Sequence, residues 1–289
     1  MSAITTAGPK RVVGVRVPEK SLVGDLRAIK VVWKRELIRF WRDRLRMITS
    51  LMQPLLFLFI LGTGLGAAMG QAIPGFNFRT FLFPGVVTLS VLFTAFFAAG
   101  SIVWDREFGF LREMLVAPVR RWSIVVGKCI GGATVATVQG LVLLAMAGLV
   151  GVPYNPLLII LVILEMFLIA FMITAWGTMI ASRVKTFQAF MATTQVILLP
   201  LFFMSGALFP ISNLPSWLSI VIHLNPLTYA VDMVRRTIFA FMELSPEAAE
   251  FVQGVTWGTW IVPIWLEAVI VALTGLVMTL CAVRLFRNL

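Results

Sequence analysis

The sequence has 289 residues, 60% of them hydrophobic and 13% charged, with a mean hydropathy of +0.96. Soluble domains run at about 45–50% apolar and about 25% charged, so this composition excludes a single water-facing core and indicates an all-α integral membrane protein. The formal net charge of +11 does not indicate nucleic acid, because the basic residues gather at the ends of apolar segments. A single histidine, His223, and two cysteines without a pairing motif, Cys129 and Cys281, argue against a metal site, a disulfide framework or acid–base catalysis.

Residues 1–21 read as an irregular cytoplasmic tail. Lys10, Arg11, Arg16 and Lys20 break the apolar core that a cleavable signal needs, so the first span is expected to act as its own uncleaved signal. In 22–46, apolar Leu22, Leu26, Ile29, Trp33, Leu37 and Phe40 recur at steps of three and four, with Arg27, Lys30, Lys34, Arg35, Arg39 and Arg42 between them. That pattern predicts a basic amphipathic helix lying in the cytoplasmic interface; a solvated basic arm is the plainer alternative.

A span needs about 20 apolar residues in helix. Six stretches qualify, at 47–69, 80–103, 123–149, 157–181, 187–209 and 260–283, within a membrane domain covering 47–289. Interior Pro54, Pro84 and Pro200 are compatible with spanning helices. With the N-terminus inside, 21 of the 24 Lys and Arg residues are cytoplasmic and only Arg79, Arg235 and Arg236 lie outside. The positive-inside bias therefore puts both termini in the cytoplasm. In the first span, Gly62, Gly66 and Gly70 share one face and suit close helix packing.

The loop 105–121 carries Glu107, Gly109, Phe110, Leu111, Arg112, Glu113, Met114 and Leu115. Asp105 is placed to cap a short helix and Pro118 to stop it. Phe110, Leu111, Met114 and Leu115 would be exposed on a short cytoplasmic loop unless something covers them. A docking surface for a cytosolic partner fits this mixture, and so does a helix resting on the membrane.

The segment 210–259 is predicted to be extracytoplasmic. Two short helices joined at Asn225, with Pro226 in the first turn of the second, are expected to dip into the outer leaflet. Glu243, Glu247 and Glu250 mark a water-exposed turn and helix. Asp232, Arg235 and Arg236 have the spacing of local surface salt bridges, which contribute little. Glu165 and Glu267 fall at equal depth within the fourth and sixth spans. They read either as structural hydrogen-bonding groups or as a proton-coupling pair.

Nucleotide machinery is missing, because Gly127-Lys128 is followed by Cys129 and has no glycine five positions before it. A stand-alone secondary transporter or channel would call for inverted repeats or a ring of polar pore residues, and neither is visible.

Three stretches carry a family resemblance. One runs from Arg106-Glu107-Phe108-Gly109 through Leu115-Val116-Ala117-Pro118-Val119 to Gly127-Lys128. The second runs from Leu199-Pro200 through Phe203-Met204-Ser205-Gly206 to Phe209-Pro210. The third joins Leu214-Pro215 to Leu224-Asn225-Pro226-Leu227-Thr228-Tyr229 and Arg235-Arg236. With the six-span plan, the chain from about residue 22 onward resembles the ABC-2 permeases, closest to the daunorubicin-resistance type of drug, antibiotic or lipid exporter.

The resemblance implies a transport subunit that is not itself an enzyme, in a prokaryotic inner membrane. It pairs with a second permease chain, identical or paralogous, and with two copies of a separate ATPase that holds ATP and Mg. It implies that the N-terminal helix, with Trp33, Arg35, Glu36 and Phe40, and the loop 105–121 contact those ATPases. It also implies a path between two permeases along the second and fifth spans, with Phe93, Phe96, Phe97, Phe202, Phe203 and Met204 as candidate lining residues. A polysaccharide or glycolipid exporter is the alternative within the family.

Overall fold

The structure, a computed structural model, describes residues 21–69, 78–116, 119–209, 211, 214–242 and 254–286. The tail before Ser21, Gly70, Pro118, Glu243, Glu247 and Glu250 lie outside the described residues, as do the side chains of Arg112 and Leu115.

The described residues are helical almost throughout. In order come α1 (Leu22–Arg42), α2 (Arg44–Leu56), a π turn (Phe57–Leu61), α3 (Gly62–Met69), α4 (Phe78–Ala99), α5 (Ser101–Glu107) and α6 (Phe110–Val116). Then follow α7 (Arg121–Leu144), a 3-10 turn (Ala147–Val150), α8 (Pro156–Arg183), α9 (Phe187–Phe203), α10 (Ser216–Leu224), α11 (Pro226–Phe239) and, after a small hairpin, α12 (Ile264–Phe286).

Among the described residues, five helical stretches are long and apolar enough to cross a membrane: Arg44–Ala67, Phe78–Glu107, Arg121–Leu144, Pro156–Arg183 and Ile264–Phe286. The fifth predicted span, 187–209, is shorter than expected, with a helix of 17 residues. Its last carbonyls are taken from outside the helix. Asn225 Nδ2 donates to Leu201 O at 2.7 Å and to Met204 O at 3.0 Å, so the chain turns at Met204 instead of adding another helical turn. The sixth begins at Ile264 because Trp260–Ile261 pairs antiparallel with Thr256–Trp257.

α4 is the hub. It is buried on nearly every side and packs against α7, α8 and α11, while α12 lies along α8. Gly62 and Gly66 of the first helix stack lie against Arg79 and Phe78 at the start of α4, which is the packing role their spacing suggests. Contacts place the ends of successive long helices alternately at two ends of the bundle. Arg106 donates to Val184 O at 2.5 Å and to Ser182 O at 3.1 Å, and Arg121 donates to Phe286 O at 3.0 Å. These arginines cap the C-termini of α8 and α12, where spare carbonyls and the helix dipole favour a cation. At the other end Thr80 donates to Val150 O at 2.5 Å and Arg236 to Val262 O at 2.5 Å.

Asn225 caps α11 by accepting from Leu227 N–H at 2.9 Å, with Pro226 supplying the first turn. The Asp232, Arg235 and Arg236 group departs from its sequence reading, since Asp232 and Arg235 are only 1% and 3% exposed. Asp232 accepts from Val255 N–H at 2.8 Å. Arg235 donates to Gly206 O at 2.6 Å with its guanidinium 4.5 Å from the Phe81 ring. These residues fasten the hairpin and the end of α9 onto α11, so they are packing elements and not surface pairs.

Candidate functional site

Lys128 sits about two turns into α7 with a side chain 1% exposed. An ammonium so buried is costly unless each of its three hydrogens finds an acceptor. They find Glu36 Oε1 at 2.6 Å, Asp105 Oδ2 at 2.7 Å and Ser101 Oγ at 2.8 Å. Arg35 also bonds to Asp105, and its other terminal nitrogen is 3.6 Å from Met114 Sδ. Arg39 reaches Asp105 Oδ1 at 3.5 Å. Five charged side chains thus join α1, α5 and α7, with Met114 extending the junction to α6.

The geometry of α1 makes this possible. Its buried positions are Asp25, Val32 and Glu36, while Leu22 and Leu26, two residues of the expected apolar stripe, stay exposed. Trp33 donates to Thr134 Oγ1 at 3.1 Å and Trp41 is exposed. Close approach depends on two α7 glycines: a Cβ at Gly127 would stand 2.9 Å from Val32 Cβ, and one at Gly131 would stand 3.0 Å from Glu36 Cβ. At the far end of the seat, Asp25 accepts from the backbone N–H of Arg120, the residue just before α7, at 3.0 Å. Phe40 is half-buried at the end of α1.

The loop 105–121 differs from its reading in two respects. Asp105 caps nothing; it lies inside α5, 1% exposed, at the centre of the ion cluster. Leu111 is buried and Met114 half-buried against the chain itself, so they are not the exposed anchors. The apolar side chains facing outward are Phe108, Phe110 and Val116, at 63%, 53% and 85% exposure. Glu107 and Glu113 are exposed beside them. Gly109, at φ +82°, makes the sharp turn between α5 and α6 that sets Phe108 and Phe110 on its two sides.

The candidate path residues divide. Phe96 is fully buried and stacks on Phe190 with ring centroids 5.7 Å apart; Phe202 is buried edge-to-face on Phe57 at 6.4 Å. Both belong to the packing of one chain. Phe93 and Phe97 stack on each other at 6.3 Å, both half-buried, Met204 is half-buried, and Phe203 is 46% exposed.

Glu165 and Glu267 meet different partners on α11. Thr237 donates to Glu165 Oε1 at 2.5 Å, and Glu267, wholly buried, lies 3.6 Å from Arg236 Nη1. Asp232 is 3.9 Å from that same nitrogen. The sequence reading missed Lys128 as a site residue although a signal was present: a lysine inside the predicted span 123–149 is an intramembrane charge and needs a partner.

Comparison with known proteins agrees with this architecture. The family model described as "ABC-2 type transporter" matches residues 27–239. The chain is 33% identical over 219 residues to ycf38 of Cyanophora paradoxa, named as a transport permease, covering 71% of this chain and 72% of that one. It is 27% identical to the inner membrane transport permease YadH of Escherichia coli K12, over 72% of this chain and 81% of YadH. It is 28% identical to nodulation protein J of Rhizobium leguminosarum, over 71% and 78%.

Proposed function

Because this chain belongs to the ABC-2 type transporter family, we propose that it is the membrane permease subunit of an ATP-driven exporter for an amphipathic drug, antibiotic or lipid-like substrate. In this reading a separate ATPase, present in two copies, supplies the energy, and a second permease chain completes the path. Both termini face the cytoplasm, α9 is the sixth crossing element, and α10 and α11 dip into the outer leaflet. The relation to an inner membrane transport permease supports placement in a prokaryotic inner membrane.

The observation that carries this proposal is the exposed trio Phe108, Phe110 and Val116 on the segment that meets the ion cluster at Asp105 and again at Met114. An ATPase docked there pushes on α6, whose inner side holds Leu111 and Met114. Met114 meets Arg35, and Arg35 is tied to the acid that Lys128 holds. Movement of the docking loop then reaches α1, α5 and α7 together, and α4 through α5. Few interface residues dominate binding, and buried aromatic anchors are prominent among them.

The test is Phe108→Ser with Phe110→Ser. Insertion and thermal stability should stay at wild-type level, because neither side chain is buried in the chain. Co-purification of the ATPase should weaken by at least about tenfold, and export should fall with it. Leu111→Ala, by contrast, should lower the stability of the permease itself. If the double variant retains both co-purification and export, the docking assignment is wrong and the loop is a membrane-surface element.

A further inference from the structure

Between the end of α1, the start of α2 and the facing turns of α4, α5 and α9 lies a cavity of about 250 Å³. Exposed Arg39, Asp43 and Arg46 stand on its rim, half-buried Phe97 and Phe187 on its wall, and buried Thr94 deep inside.

Three observations give this cavity a chemistry. First, the Arg46 guanidinium has no carboxylate within ion-pair distance among the described residues; it rests 5.6 Å from the centre of the Phe97 ring. The nearby acid, Asp43, uses Oδ1 to accept the Arg46 backbone N–H at 3.1 Å. Second, among the described residues Arg39 reaches only Asp105, at 3.5 Å, and that carboxylate already serves Arg35 and Lys128. Glu36 is likewise engaged by Lys128. Among the described residues, Arg35, Arg39, Arg46 and Lys128 carry four positive charges here against three negative ones on Glu36, Asp43 and Asp105, so the junction keeps a net positive charge.

Third, Thr94 Oγ1 is buried with no hydrogen-bond partner among the described residues. Thr137, Thr174 and Thr194 return their hydroxyls to the carbonyl one turn earlier, at 2.8, 2.7 and 2.7 Å. Thr94 does not, and an unpaired buried hydroxyl is a cost that a ligand acceptor would remove.

We propose that this cavity binds the anionic end of an amphiphile, a phosphate or carboxylate carried on an apolar body. Arg46 and Arg39 take the anion, Phe97 and Phe187 the first part of the body, and the Thr94 hydroxyl a carbonyl or ether oxygen near the junction. Guanidinium suits planar, multidentate recognition of such oxyanions. The proposal rests on the exporter reading, whose substrate class it narrows to acidic amphiphiles presented at the end of the bundle that carries α1.

The purified full chain in zwitterionic lipid nanodiscs is given photoreactive phosphatidic acid or photoreactive phosphatidylcholine with identical chains, and labelled peptides are mapped. Phosphatidic acid should label the α4 and α9 peptides and phosphatidylcholine should not. Arg46→Gln should reduce that labelling by at least about tenfold, Arg46→Lys should restore part of it, and Thr94→Val should reduce it several-fold. Competition by a short-chain alkyl phosphate would identify a freely dissolved amphiphile as a ligand, whereas lipid labelling without such competition would identify a bilayer lipid. Both results support the anionic site.

Equal labelling by the two lipids, or labelling unchanged in Arg46→Gln, overturns it. The exporter reading is judged separately in membrane vesicles. If the acidic lipid labels the cavity but ATP hydrolysis moves no amphiphile, that reading fails and the site stands. If ATP moves other amphiphiles while the acidic lipid does not label, the site fails and the exporter reading stands.

Discussion

At Lys128, hydrogen bonds from three segments converge on one ammonium. Removing that ammonium leaves Glu36 buried with, among the described residues, only Arg35 as a cation nearby, at 3.9 Å. Breaking a buried pair from one side costs about 3–5 kcal/mol. Lys128→Met should therefore lower thermal stability markedly, and adding Glu36→Gln should recover part of the loss. Thermal unfolding of the four members of that cycle checks this, and simple additivity would mean that the two side chains do not interact.

Glu165 and Glu267 call for a different expectation. The hydrogen bond from Thr237 to Glu165 survives in an amide, and at Glu267 an amide keeps the shape of the side chain while losing the charge that faces Arg236; as structural groups, Glu165→Gln and Glu267→Gln should both preserve most transport. Loss of transport at normal expression would favour a proton-carrying role. In the sequence Lys128 counts with the cytoplasmic basic residues, although its position inside the predicted span 123–149 marks it as an ionisable group in need of a partner. Its partners were not legible, because they lie 92 and 23 residues away, beyond the reach of any periodic pattern.

α1 was legible as an amphipathic helix because its apolar side chains repeat at helical spacing. What covers that helix was not, since two-faced composition says nothing about which neighbour takes which face. The seat is set by Gly127 and Gly131 on α7, an i, i+4 pair whose meaning appears only with α1 laid across it. Gly127→Val should wedge the two helices apart at a cost of about 1–3 kcal/mol. The spans themselves should still insert. Limited proteolysis would report the change as faster cleavage within 22–42, and unchanged cleavage would show that α1 is held by its ionic ends alone. The early end of α9 was hidden for a related reason. Asn225 reads locally as a cap for the helix after it, and its second role, on carbonyls 24 and 21 residues earlier, is tertiary.

For the whole molecule, hydropathy located each long helix to within a few residues because a helix in lipid must satisfy its backbone internally. The topology that follows from the Lys and Arg distribution is testable at two exposed positions, Ser216 and Lys185. In a background lacking Cys129 and Cys281, Ser216→Cys should react with an impermeant thiol reagent in intact cells. Lys185→Cys should react only after permeabilisation, and the opposite pattern would invert the proposed orientation.

The seating of α1 also sets a schedule for biosynthesis. α1 leaves the ribosome well before α7, yet its two buried acids, Asp25 and Glu36, are matched by Arg120 and Lys128, 95 and 92 residues later. Until α7 has been translated and inserted, the nascent N-terminal helix has no seat. A polypeptide arrested after α4 would keep this helix undocked and open to proteolysis, whereas one arrested after α7 would already hold it in place.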